Sequence, residues 1–116
     1  MFASVTKTFE FSASYSKADK VIGHNYTLRA TFLAASEADE RGLVPKIQDA
    51  LIQKIHSKDL GEHVDFLKDV VISDVALLRS FWPIIANATK PVLLKKLSLE
   101  CDRSTRWTLA EEGVSP

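Results

Sequence analysis

Two stretches near the start of the chain alternate between apolar and polar residues, and this period of two constrains the fold more than any other feature. The first runs from Thr6 to Tyr15, and the second runs from His24 to Ala34. Because successive side chains of a strand point to opposite faces, each stretch predicts a strand with one buried face and one polar face. The residues predicted to face inward are Phe9, Phe11, Ala13, Tyr15, His24, Tyr26, Leu28, Ala30 and Phe32.

A polar segment and then a helical pattern follow the second strand. Residues 36–42 are polar and end in glycine, which predicts a loop. Pro45 is favourable in the first turn of a helix, because its missing N–H would have no partner there in any case. Apolar residues then recur at helical spacing, and Gly61 is a stop signal. The predicted stripe of this first helix consists of Val44, Ile47, Leu51 and Ile55.

A second helix is predicted to begin at Ser73 or Asp74, because either side chain can accept a hydrogen bond from the free N–H groups of a first turn. Pro83 lies inside the helical pattern and predicts a kink or an early stop. The predicted stripe of this helix consists of Val75, Leu78, Phe81 and Ile85.

The C-terminal part of the chain returns to a period of two. Residues 96–101 alternate and predict a third strand, and residues 106–110 predict a fourth after a turn. Residues 111–116 are predicted to form a loose tail. The order strand, strand, helix, helix, strand, strand predicts an α+β fold, with a four-stranded antiparallel sheet covered by two helices on one face. We expect residues 1–116 to form a single domain.

Charge, hydropathy and cysteine content exclude several classes of function. The formal net charge is +0, from 15 basic and 15 acidic residues, which leaves no electrostatic footprint for nucleic acid. No apolar run approaches the roughly 18 residues that cross a bilayer, which argues against a membrane partner. The start of the chain lacks the basic and apolar pattern of an export signal, and Cys101 is the single cysteine. These features predict a cytoplasmic protein.

The segment from Phe11 to Phe32 carries a more specific motif. It reads FSASYSKADKVIGHNYTLRATF, with the sequence GHNY at residues 23–26. This resembles the 6-pyruvoyl-tetrahydropterin synthase family, which includes the 6-carboxy-tetrahydropterin synthases of queuosine biosynthesis. That family typically reads F-x-A-x-H, then a cysteine, then H-G-H-N-Y. Residues 42–47 also resemble the family's entry to its first helix, with Lys46 in place of an aspartate.

The resemblance implies a fold and an assembly. The family has the tunnelling fold, in which the sheets of several subunits join into a barrel, with helices outside and active sites between subunits. It therefore implies a homo-oligomer, and the edge strands of a four-stranded sheet offer unpaired groups for such joining. Phe81, Trp82 and Trp107 are predicted to lie in the core or at a subunit interface.

The resemblance also implies a zinc ion held by three histidines, but two of these positions differ here. Tyr15 and Ile22 stand at the first two positions, and only His24 is retained. A catalytic zinc ion usually has three protein ligands, and one imidazole does not hold it against water. We therefore expect no bound metal or cofactor, with His24 packed or hydrogen-bonded beside Tyr15. The alternative is a rebuilt metal site that recruits His56 or His63.

The pair Glu62-His63 resembles an Asp-His pair that the family uses to move protons at the reacting carbon. A carboxylate beside a histidine can fix the tautomer of the ring and raise its basicity. The family's partner acid or base is a cysteine, and the corresponding loop here offers Lys17, Asp19 and Lys20 as its titratable side chains. The alternative is a solvated Glu-His pair in a loop without a catalytic role.

Glu100 matches the glutamate that anchors the pterin ring in the resembling family. Its two oxygens can accept from an exocyclic amine and an adjacent ring N–H, which is a bidentate, charge-assisted match. The alternation of the strand places Glu100 on the polar face with Lys96 and Ser98. The alternative is an exposed strand glutamate that pairs with a lysine.

Together these residues predict a divergent 6-pyruvoyl-tetrahydropterin synthase-like protein that binds a pterin-like or purine-like ring through Glu100. Its zinc-dependent synthase or lyase activity is predicted to be impaired or lost, because zinc normally stabilises the reaction by polarising an oxygen. One alternative is an active carbon-oxygen or carbon-carbon lyase that uses Glu62 and His63. A second alternative is a non-catalytic oligomeric interaction module.

Overall fold

A five-stranded sheet with helices packed on one face forms the fold of this chain. The computed structural model describes residues 2–17, 20–61, 64–68, 71–102 and 104–111. The strands are β1 (Ala3–Lys17), β2 (Lys20–Ala34), β3 (Lys58–Asp59), β4 (Leu93–Cys101) and β5 (Thr105–Ala110). They lie in the order β3-β1-β2-β4-β5 across the sheet. The predicted α+β class is therefore confirmed.

β1 and β2 form one long antiparallel hairpin. Each strand has 15 residues, and their pairing runs from Ala3 opposite Ala34 to Lys17 opposite Lys20. At about 3.4 Å per residue, such a hairpin is roughly 50 Å long, and it sets the longest dimension of the molecule, 51 Å. Both strands are longer than the alternation predicts, because backbone pairing continues past the residues that contact the core.

β3 makes the sheet different from the predicted four antiparallel strands. Its two residues pair in parallel with Ala13 and Ser14 at the edge of the sheet. Just before β3, Ser57 N donates a hydrogen bond to Ser12 O at 2.6 Å. A strand of two residues is too short to show a period, so a sequence pattern does not reveal it.

Helical segments fill the chain between β2 and β4. They are α1 (Glu37–Arg41), α2 (Leu43–Ile47), a π-helical turn (Gln48–Ile52), α3 (Gln53–Ile55), a 3-10 turn (Asp65–Leu67) and α4 (Asp74–Ala88). α2, the π-helical turn and α3 together form the predicted first helix. α1 occupies a segment that the sequence predicts as a loop, and that prediction is wrong. Glu37, Asp39 and Glu40 lie in its first turn, where negative charge stabilises a helix.

α4 begins where the sequence predicts. Ser73 Oγ accepts a hydrogen bond from Ala76 N at 3.1 Å, which caps the first turn. Pro83 lies inside the helix, and the helix continues past it without the predicted early stop. Phe81 and Ile85 lie on either side of the proline and are 0 % exposed. Their packing against the sheet compensates for the hydrogen bond that a proline cannot donate.

The core lies between the helices and the apolar face of the sheet. Phe81 belongs to this core, Trp82 packs against it in a half-buried position, and Trp107 on β5 is 47 % exposed. A place at a subunit interface stays a prediction for Trp107. Among the described residues, none of the helices is long and apolar enough to span a membrane. The strand and helix residues with the most deeply buried large side chains include Tyr26, Leu28, Phe32, Leu43, Ile47, Leu51, Ile55, Leu77 and Phe81.

Candidate functional site

His24 and Asp102 meet at one end of the sheet, where β2 passes the turn that follows β4. His24 Nδ1 lies 2.6 Å from Asp102 Oδ2. Asn25 N donates a hydrogen bond to Asp102 Oδ1 at 3.2 Å. The hydrogen bond with His24, and then the one from Asn25 N, hold the pKa of Asp102 below its usual range. Asp102 therefore presents an ionised carboxylate to the histidine.

The backbone of Asp102 helps to aim this carboxylate. Its φ is 50°, in the left-handed region that few non-glycine residues adopt. Aspartate tolerates the conformation because its short side chain can hydrogen-bond locally. Asp102 N also donates to Asn25 O at 3.1 Å. The turn and the two contacts with Asn25 fix the side chain against β2.

Cys101 brings a thiol to the same place. Its Sγ lies 3.6 Å from Asp102 Oδ2, and the residue is 9 % exposed. Burial first, and then the negative charges of Asp102 and Asp74, raise the pKa of the Cys101 thiol to about 11. Metal-binding atoms of His24, Cys101 and Asp102 all lie within 4.8 Å of one another. We refer to these three residues as the donor cluster.

Two tyrosines lie beside the donor cluster. The ring centroids of Tyr15 and Tyr26 are 6.4 Å and 5.7 Å from that of His24. Tyr26 is 1 % exposed, and its hydroxyl has no hydrogen-bond partner in the described part of the chain. Burial is the main cause that raises the pKa of Tyr26, followed by the negative charges of Asp74 and Cys101. The ring of Tyr26 therefore forms a buried wall beside His24.

The three positions that hold zinc in the resembling family do not fit a zinc ion here. Ile22 has no donor atom. Burial raises the pKa of Tyr15 above its ordinary value, which disfavours the phenolate that a metal ion would need. His24 packs beside Tyr15 as expected, but its hydrogen bond goes to Asp102. The prediction of an incomplete family site is consistent with this arrangement.

The other residues predicted for chemistry lie apart from this cluster or outside the described residues. His56 Nδ1 accepts a hydrogen bond from Ser12 N at 3.2 Å, and the donor cluster does not include His56. Glu62 and His63, the predicted acid-base pair, lie outside the described residues, and so does Asp19. Their catalytic role stays a prediction.

Glu100 lies on the polar face of the sheet, as the alternation of β4 predicts. Its Oε2 accepts hydrogen bonds from Arg29 at 3.0 Å and from Arg106 at 2.9 Å. The Glu100 side chain is 16 % exposed. Its partners are two arginines, rather than the lysine of the alternative interpretation. The hydrogen bond from Arg106, and then the one from Arg29, lower the pKa of Glu100. The carboxylate is therefore ionised and fixed in orientation.

Glu100 belongs to a row of residues that crosses the polar face. The row consists of Glu10 on β1, Thr27 on β2, Glu100 on β4 and Arg106 on β5. The side chain of Glu10 makes neither a hydrogen bond nor an ion pair with any other described residue. The row thus contains one carboxylate that two arginines neutralise and a second that is open to solvent.

A cleft of about 540 Å³ adjoins both the row and the donor cluster. It lies within the size range of small-molecule sites, roughly 300–1,000 Å³. Thr27, which lines it, is the direct cross-strand neighbour of Glu100. Tyr26 and Asp102 also line the cleft, so Asp102 is the member of the donor cluster that borders it. The polar lining residues are Glu10, Ser12, Asn25, Thr27, His56 and Asp102.

Comparison with known proteins identifies the fold. No family model matches the sequence, and no curated protein matches it. The solved structure of a 6-pyruvoyl tetrahydropterin synthase from Caenorhabditis elegans superimposes with a TM-score of 0.78 over 97% of both chains. This chain has the fold of that enzyme. The two sequences are 13% identical, so the likeness to the Caenorhabditis elegans synthase establishes the fold alone.

Sequence reasoning missed three residues of the site. Cys101 and Asp102 lie near His24 only because β4 pairs with β2. The alternation within each strand does not predict which strand becomes its neighbour. Glu10 was open to prediction, because the period of β1 already places it on the polar face. Its position opposite Thr27 depends on the register of the hairpin, which only the structure gives.

Proposed function

We propose that this protein binds a pterin-like or purine-like ring on the polar face of its sheet through Glu100. We further propose that the zinc-dependent synthase or lyase activity of the resembling family is impaired or lost. The observation that supports ring binding is the ionised Glu100 carboxylate, which Arg29 and Arg106 hold. Glu100 does not itself line the cleft, but its cross-strand neighbour Thr27 does. Ile22 and Tyr15 at the family's zinc positions support the loss of activity.

The acceptor capacity of Glu100 limits how a ring can bind. An ionised carboxylate offers about four lone-pair sites, two on each oxygen. Arg29 and Arg106 both donate to Oε2, and Oε1 receives no hydrogen bond from the described residues. The amine and ring N–H of a pterin would therefore both bind at Oε1, or would displace one arginine from Oε2.

Glu10 provides a second acceptor for the same proposed ligand. It lines the cleft, and Thr27 lies between it and Glu100. Two strand spacings separate the two carboxylates, roughly 10 Å. A bicyclic ring that lies flat over Thr27 can reach one carboxylate with its amine and the opposite one with a polar substituent.

The test is calorimetric titration of the full chain with neopterin, a carboxypterin and guanine. We expect Glu100→Gln to weaken binding about ten- to a hundredfold, because the amide places a donor where the ring needs an acceptor. Glu37→Gln is the matched control and should bind as the wild-type protein does, because Glu37 is an exposed glutamate of α1 that does not line the cleft. Glu10→Gln tests the second acceptor. If Glu10→Gln weakens binding and Glu100→Gln does not, the anchor is Glu10. If the wild-type protein binds none of the three at millimolar concentration, ring binding is wrong and an oligomeric interaction module becomes the better interpretation.

We also propose that the protein is a homo-oligomer whose subunits join at sheet edges. Among the described residues, β3 covers β1 only at Ala13 and Ser14, so the edge of β1 before them is open to another strand. β5 forms the opposite edge of the sheet and carries the exposed Trp107. Unpaired edges favour strand addition, and a ring of subunits joined edge to edge has no free edge left.

Light scattering over a range of concentrations tests this assembly. We expect a mass of several chains at micromolar concentration, and Trp107→Ser should shift dissociation to higher concentration. Val71→Ser is the control, because Val71 is 90 % exposed but lies outside both edge strands. A monomeric mass for the wild-type protein at micromolar concentration would contradict the proposal.

A further inference from the structure

We propose that His24, Cys101 and Asp102 bind a divalent transition-metal ion of the zinc class. Of these donors, His24 alone lies at a position that the resembling family uses, and the other two come from the end of β4 and the turn after it. This proposal goes against the sequence-based expectation that the protein binds no metal or cofactor, because that expectation considered the histidines and left out Cys101 and Asp102. The donor cluster is a different set, and it does not depend on the proposed ring binding.

The chemistry of the donors suits such an ion. Zinc is bound in proteins by imidazole nitrogen, thiolate sulfur and carboxylate oxygen, and an open site has three protein ligands and one free position. The donor cluster supplies one atom of each type. Burial raises the pKa of the Cys101 thiol to about 11, so the ion would have to displace the thiol proton, as metal ions do from coordinating cysteines. The resulting thiolate and the carboxylate would together balance the two positive charges of the ion.

One distance within the donor cluster, that between Cys101 and Asp102, is close to the value of a tetrahedral site. With bonds of about 2.3 Å to sulfur and 2.0 Å to oxygen, a tetrahedral angle separates the two ligand atoms by roughly 3.5 Å. The observed distance from Cys101 Sγ to Asp102 Oδ2 is 3.6 Å. The 2.6 Å distance from His24 Nδ1 to Asp102 Oδ2 is that of a hydrogen bond, and it would open by about 0.7 Å on binding.

The ring of Tyr26 lies against His24 of the donor cluster, and its hydroxyl is buried. A buried polar group without a partner costs roughly 1–3 kcal/mol and is uncommon. This hydroxyl has no hydrogen-bond partner among the described residues, and the ring centroids of Tyr26 and His24 are 5.7 Å apart. An ion at the cluster, with water in its remaining position, would bring a polar group close to this residue.

The experiment is titration of the chelator-treated full chain with cobalt(II), which substitutes for zinc and gives a thiolate-to-metal charge-transfer band. We expect a band that saturates at about one cobalt per chain. Cys101→Ser should abolish the band and weaken binding at least tenfold. His24→Gln and Asp102→Asn should weaken binding about ten- to a hundredfold while the band keeps its thiolate character. His56→Gln is the matched control and should bind as the wild-type protein does.

Two results would overturn the proposal. One is the absence of a charge-transfer band in the wild-type protein at excess cobalt. The other is unchanged affinity in Cys101→Ser and Asp102→Asn. Circular dichroism of each metal-free variant identifies any variant that fails to fold. The cobalt spectrum of the wild-type protein tests the proposal even if one of the variants does not fold. Loss of binding in His56→Gln, with binding kept in Cys101→Ser, would move the site to His56.

Discussion

Glu10 and Glu100 face the same side of the sheet, one on each side of Thr27. The two carboxylates differ in their surroundings, although both belong to one row. Arg29 and Arg106 donate to Glu100, whereas Glu10 has no ion pair with the residues that the structure describes. The same residue type therefore offers a fixed, neutralised acceptor at one position and a free one at the other.

The ion pairs of Glu100 predict a dependence of stability on acid. Arg106 and Arg29 lower the pKa of Glu100 in the folded state. As the pH falls below the ordinary glutamate pKa of about 4.3, the unfolded chain therefore takes up the proton more readily than the folded chain does. The stabilisation is present above that value and is lost as pH falls through the folded pKa. The groups that face Glu100 are Arg29, Arg106 and, across Thr27, Glu10.

Urea unfolding at pH 3 to 7 measures this effect. The wild-type midpoint should exceed that of Glu100→Gln at neutral pH, and the difference should shrink as the pH falls below about 4. Glu10→Gln should show no comparable trend, because Glu10 has no arginine partner in the described chain. A constant difference between wild type and Glu100→Gln at all pH values would refute the prediction.

Phe81 is expected to be among the most costly positions to truncate. It is 0 % exposed, and its ring packs edge-on against Phe11 and Phe66 at centroid distances of 6.2 Å and 6.4 Å. Phe81→Ala should lower the free energy of unfolding by about 3–5 kcal/mol. The control Phe2→Ala removes the same ring from a residue that is 65% exposed, and it should change stability by less than about 0.5 kcal/mol. Equal effects in chemical denaturation would contradict the packing described for α4.

Ser73 and Ser36 offer a matched pair of helix caps. Ser73 Oγ accepts from Ala76 N, whereas Ser36 precedes α1 without a side-chain capping bond. Ser73→Ala should destabilise the protein by about 1 kcal/mol, and Ser36→Ala should be nearly neutral. The thermal midpoints of the two variants provide the comparison, and a larger shift for Ser36→Ala would show that the capping assignment is wrong.

Tyr26→Phe removes the buried hydroxyl that has no described partner. In chelator-treated protein this change should leave stability unchanged or raise it by up to about 1 kcal/mol, because no hydrogen bond is lost. Tyr15→Phe serves as the control on the more exposed tyrosine of the same site. A loss of more than about 1 kcal/mol in metal-free Tyr26→Phe would mean that the hydroxyl has a partner after all.

The sequence predicts the parts of this fold that depend on local periodicity. The alternation in β1 and β2 and the stripe of α4 mark the residues that face the core, and Ser73 marks the start of α4. Three features escape it for physical reasons. β3 is too short to show a period, and the acidic turn of α1 has the composition of a loop. The continuation of α4 past Pro83 depends on tertiary packing.

The residues of the candidate site also fall into a group that local periodicity predicts and a group that it does not. Glu100 and His24 were open to prediction, because each lies on an alternating strand whose faces the sequence defines. The approach of Cys101 to His24 depends on which strands are neighbours, and the arginine pairs of Glu100 depend on the register of β4 with β2 and β5. Such cross-strand relationships join residues far apart in the chain.

Asp102 meets two separate requirements: its backbone must adopt a left-handed conformation, and its side chain must contact His24. The turn alone would accept glycine or asparagine as readily as aspartate, since all three tolerate a positive φ. The proposed metal ion adds a further demand, because it needs a carboxylate that glycine cannot supply. A relative with glycine at this position would keep the turn and lose one proposed ligand. The residue type found there therefore separates what the fold needs from what the proposed metal site needs.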